Sequence, residues 1–100
     1  MIHTWSSLDE RLLHAMLMEY LTVRRLRRDA AVATKMADEA DARDAENDAI
    51  KVGSGTYVPY RSPSQRSGFY HRQHAERTRA MADGAMDVVA RMKSVLHGSY

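Results

Sequence analysis

From Ser7 to about Ala49 the chain contains neither glycine nor proline. The two residues that most readily interrupt a helix are therefore missing from nearly half the sequence. Ser7-Leu8-Asp9-Glu10 has the form of a capping box, in which Ser7 accepts from the Glu10 amide while Glu10 reaches back. Apolar residues then fall at Leu8, Leu12, Met16, Tyr20, Val23, Leu26, Ala30, Ala33, Ala37 and Ala40, in steps of 3 and 4. That is the spacing of one helix face, and strand alternation is nowhere sustained. A helix over 7–49 would be roughly 65 Å long. Few helices of that length stand alone in a globular protein, so this one requires a partner.

The 18 residues from Lys51 to Gly68 supply the break. Gly53, Gly55, Pro59, Pro63 and Gly68 punctuate it, with Ser, Thr and Arg filling most of the rest. Ile50-Lys51-Val52 and Thr56-Tyr57-Val58 offer a small β-hairpin around the glycines as a local alternative. Helical periodicity returns after Phe69, with Met81, Ala85, Val88, Met92 and Val95 in register up to His97. Gly98 suits the residue just past a helix end. Gly84 lies inside this run and is expected to mark a point of close packing. The organisation read from sequence is a single α-helical domain over 1–100, with helix 7–49, loop 50–68 and helix 69–97.

Folding the chain at the loop makes an antiparallel hairpin. Matching positions whose numbers sum to about 118 sets Ala37 against Met81, Ala33 against Ala85, Ala30 against Val88, Leu26 against Met92 and Val23 against Val95. Small residues then oppose larger ones, as coiled-coil packing requires.

The charges support the same pairing. Residues 1–28 sum to +2, 29–50 to −5 and 51–80 to +5, within a net charge of +2. Acids late in the first helix and cations early in the second each oppose their own helix dipole. Side by side they attract, and this register puts Asp44 near His74, Asn47 near His71, and Asp38 and Asp41 near Arg77 and Arg79. Exposed ion pairs of this kind set register more than they add stability. The fold class is thus all-α, a long coiled-coil-like helical hairpin with an 18-residue basic connecting loop.

In this register the second helix ends opposite residue 21 and leaves the most apolar stretch of the protein uncovered. Leu8, Leu12, Leu13, Met16, Leu17, Met18 and Leu21 would form that surface. Contiguous exposed apolar area of this kind marks an interface. The alternative is a break near Arg28-Asp29 that folds residues 7–28 back as a third helix.

Catalytic chemistry finds little support. The chain has no Cys, which excludes thiolate nucleophiles and Cys-ligated metals. Gly-x-Ser-x-Gly and Gly-x-x-x-x-Gly-Lys are both missing. His71-x-x-His74 lies one turn apart but lacks the further convergent ligands of a zinc site. No catalytic residue, metal site or cofactor is therefore assigned. No apolar run reaches the ~18 residues of a membrane span. The first residues also lack the basic flank and apolar core of a secretory signal. A soluble, cytoplasmic protein is expected, or one of a virion or host cytoplasm if its source is viral.

Two functional classes remain. The first is a non-enzymatic assembly or interaction protein, such as a small structural subunit, adaptor or inhibitor, joined to a homo-oligomer or a larger partner through Leu8–Leu21. Phage and viral assembly components share this size and lack of catalytic chemistry by analogy. The alternative is a nucleic-acid binder. Tyr57, Tyr60, Arg61, Arg66, Tyr70, Arg72, Arg77 and Arg79 interleave aromatics with arginines, a pattern suited to stacking on bases and pairing with phosphates. A basic end beside the apolar stretch, Arg24-Arg25-Leu26-Arg27-Arg28, also raises an anionic membrane surface, although Asp9, Glu10 and Glu19 interrupt it.

Overall fold

The computed structural model describes residues 7–98 and shows an all-α helical hairpin, with no strand among those residues. Helix α1 runs Ser7–Gly53 and helix α2 runs Phe69–Gly98. A single 3-10 turn, Pro63–Gln65, interrupts the connection. Helix α1 is continuous through Arg28 and Asp29, so residues 7–28 do not fold back as a separate third helix.

Helix α1 continues past residue 49 to Gly53, and its last turn occupies the positions that the small β-hairpin would have used. The end is a Schellman cap. The Thr56 amide donates to the Lys51 carbonyl at 2.8 Å and the Gly55 amide to the Val52 carbonyl at 3.0 Å. Gly55 takes the left-handed conformation this motif needs, with φ +84°. Two strands cannot start from residues 50–52 because their carbonyls are spent on closing the helix.

By contact density the chain divides into two units: Asp29–Thr78, and the described parts of Met1–Arg28 with Arg79–Tyr100. In the first unit, Asp38, Asp41, Asp44 and Asp48 lie at helical steps on one side of α1 and hold the connection down. Arg61 donates to Asp48 at 3.0 Å and lies 3.5 Å from Asp44. The Ser67 amide donates to Asp44 at 3.1 Å and the Gly68 amide to Asp41 at 2.9 Å. Arg72 pairs with Asp41 and, at 2.9 Å, with Asp38.

Ser67 and Gly68 immediately precede α2, so their amides point out of its N-terminus without intrahelical acceptors. Carboxylates from α1 fill that role and also meet the positive end of the α2 dipole. The acidic block thus caps the neighbouring helix. Thr78, the one polar residue buried in the described chain, donates to the His74 carbonyl at 2.7 Å and leaves no orphaned group.

In the second unit, Val23 packs with Ala82 and Ala85, flanked by the partly buried Leu26 and Met86. Burial along α1 at Val23, Ala30, Ala33, Ala37 and Ala40 follows the face read from sequence. On α2 the buried face is Ala75, Thr78, Ala82, Ala85, Val89 and Leu96. This is a correction, because Met81 and Val95, assigned to the core, are each 61% exposed and Val88 is 39% exposed.

The register is corrected with it. Asp41 with Gly68 and Asp48 with Arg61 each sum to 109, and Val23 meets Ala82 and Ala85 in place of Val95. Compared with the 118 register, α2 is displaced by about nine residues, or ~14 Å along α1. The expected neighbours change accordingly: Asp38 and Asp41 meet Arg72 and not Arg77 or Arg79, and Asp44 meets Arg61 and Ser67 and not His74. Matching small to large side chains favoured the wrong register. Small residues on both helices, with the aspartate caps, account for the one observed. Gly84 is exposed, and a Cβ there would meet nothing within 4 Å, so it is not a close-packing point.

Candidate protein-interaction face

The register shift changes what becomes of the apolar stretch at the start of α1. Helix α2 does not stop opposite residue 21. Its Met86, Val89, Ala90 and Lys93 lie beside Leu13, Met16, Leu17 and Tyr20, and together they line an open groove of about 690 Å³. Leu12 and Met16 turn inward and are half-buried. Leu8, Leu13, Leu17, Met18 and Leu21 remain exposed, with Leu17 at 54% and Met18 at 51%. Part of the sequence-derived surface is therefore covered by the chain's own second helix, and part is not.

The uncovered part has an order that follows from helix geometry. Glu10, Leu13, Leu17, Leu21, Arg24 and Arg28 are all exposed. Their steps of 3, 4, 4, 3 and 4 place them along one stripe of α1, turned away from Val23. Three leucines form its centre, a carboxylate stands at one end and guanidinium groups at the other. Tyr20 borders the stripe and leads into the groove. Sequence reasoning placed the leucines on this surface but put Tyr20, which is 46% exposed, on the packed face of α1, and it did not assign Met86, Val89, Ala90 and Lys93 to the surface. No signal marked these positions once the register was misplaced.

The residues of the nucleic-acid alternative are distributed differently. Tyr57, Tyr60 and Tyr70 are exposed, as are Arg66, Arg77 and Arg79. Arg61 and Arg72 are engaged by the α1 aspartates. The Arg72 guanidinium holds the Asp41 carboxyl below the ordinary carboxylate range, helped by the Gly68 amide. The Ser67 hydroxyl and amide do the same for Asp44. Arg72 is in turn raised by Asp41 and Asp38. Two of the five arginines proposed for phosphate contacts thus already have anionic partners within the fold. Pro59, Tyr60, Arg61 and Arg66 border an open hollow of about 420 Å³, but its opposite wall is Asp41, Asp44 and Asp48. That wall repels phosphate.

Among the described residues, no group of three or more His, Asp or Glu side chains is placed to hold a metal ion. No helix among them is long and apolar enough to cross a membrane. Compared with known proteins, the chain matches no family model, no curated protein and no solved structure.

Proposed function

We propose that this protein is a non-enzymatic assembly or adaptor subunit that joins another protein surface through the exposed leucine stripe of α1. One observation carries the reading: Leu13 and Leu17 stay open to solvent although α2 runs beside them, and Met18 and Leu21 are exposed on the same segment of α1. Burying an exposed leucine contributes about 1.5–3 kcal/mol. Several on one helix face, beside an apolar groove with an aromatic rim, supply the centre that protein interfaces need. Pairing of Arg61 and Arg72 with aspartates favours this reading over nucleic-acid binding.

Methionine oxidation tests it without knowledge of the partner. Met18 and Met81 have similar exposure in the isolated chain, 51% and 61%. Brief peroxide treatment of cells producing the protein should oxidise Met81 well ahead of Met18, because only Met18 borders the covered face. Equal rates at the two sites would overturn the proposal.

A further inference from the structure

We infer that the occupant of the leucine stripe is a second copy of this chain, laid antiparallel on the first about a two-fold axis at Leu17. The inference rests on the interaction reading above and names its partner. Its basis is the self-complementarity of the stripe. With Leu17 on the axis, Leu13 meets Leu21 of the second copy, and Glu10 meets Arg24. The two-fold repeats each contact, so leucine meets leucine across the centre and an opposite-charge pair closes each end. An isologous interface requires this property, since the same patch must complement itself. A parallel arrangement would set Glu10 against Glu10 and Arg24 against Arg24, which is repulsive at both ends.

The helical spacing agrees. Steps of 3, 4, 4 and 3 from Glu10 through Leu13, Leu17 and Leu21 to Arg24 keep all five on a seam that a partner helix can follow. All five positions named are exposed, so the second copy meets them without rearranging the core. Tyr20, Met86 and Val89 border the seam and enlarge the surface that the second copy covers. Two hairpins joined in this way make a four-helix arrangement, which closes off the apolar groove on each copy.

The chain has no cysteine, so a single introduced one reports cleanly. Leu17→Cys on the axis brings two thiols within disulfide reach, whereas Val95→Cys, at an exposed position away from the seam, does not. Under mild oxidation of the full-length protein, Leu17→Cys should form a cross-linked dimer at concentrations where Val95→Cys stays uncross-linked. Glu10→Arg and Arg24→Glu should each weaken the dimer about tenfold at low salt, since each converts two attractive pairs into repulsive ones. The double variant carrying both substitutions should regain most of that loss. Circular dichroism confirms that each variant keeps its helices. A dimer that links through Val95→Cys and not Leu17→Cys, or a double variant weaker than either single one, would overturn the two-fold arrangement. A monomer whose Met18 is still protected in cells would overturn the second copy while leaving a different protein on the face. A monomer with Met18 unprotected would overturn both readings.

Discussion

Gly68 passes so close to α1 that a methyl group on its α-carbon would lie 2.5 Å from the carbonyl oxygen of Ala37. The same methyl would press on the Asp41 carboxylate at 2.8 Å, the group that accepts the Gly68 amide. A backbone carbonyl in the middle of a helix cannot give way as a flexible side chain does. Gly68→Ala is therefore expected to cost about 1–3 kcal/mol, the range for overpacking a tight contact. Urea unfolding followed by circular dichroism measures it. A neutral result would mean that the start of α2 stands off from α1.

Gly84 makes the opposite prediction. It is exposed, lies inside α2 and has open space where a Cβ would stand. Alanine there removes chain entropy from the unfolded state and improves helix propensity, so Gly84→Ala should stabilise by about 0.5–1 kcal/mol. Destabilisation in the same urea experiment would show a packing partner on that side of the helix.

The register is tested by two valines. Val23 is fully buried against Ala82 and Ala85, whereas Val95 is 61% exposed. Val23→Ala should cost about 2 kcal/mol through lost burial and the cavity left behind. Val95→Ala should stay within about 0.5 kcal/mol. Equal losses at both sites would restore the pairing of Val23 with Val95.

Acid should loosen the connection between the helices. Asp41 and Asp44 titrate below the ordinary value of 3.8, so the unfolded chain takes up protons at these sites before the folded chain does. Their contribution is complete above that value and is lost as pH falls through it toward the lower folded values. The melting temperature should therefore drop below about pH 4. Asp41→Asn should melt lower than the parent at pH 7 and lose less on acidification. An unchanged acid dependence in that variant would assign the loss to other carboxylates.

The helices and the α1 face were legible because periodicity over dozens of residues averages out local ambiguity. Val23, Ala30, Ala33, Ala37 and Ala40 repeat at helical spacing with no competing pattern. The α2 face was harder, since Met81, Ala82, Ala85, Val88 and Val89 offer two overlapping stripes of similar apolarity. Size matching chose the bulkier stripe. The structure buries the smaller one. A usable signal lay in the aspartates: Asp38, Asp41, Asp44 and Asp48 share one face of α1, and Ser67-Gly68 present uncapped amides just before α2. Pairing those features gives the correct register from sequence. The Gly53-Ser54-Gly55 segment was misjudged for a local reason, because the glycine that ends α1 is Gly55, in the left-handed position of the cap.

The most direct test of the two-fold dimer account is the mass of the purified full-length chain by light scattering, with absorbance at 260 and 280 nm recorded on the same sample. One chain weighs 11.4 kDa. The account predicts twice that mass with a protein-like absorbance ratio, and a return to the single-chain mass in Leu17→Asp with its helices retained. A single-chain mass for the parent, or a doubled mass that Leu17→Asp leaves unchanged, would contradict it.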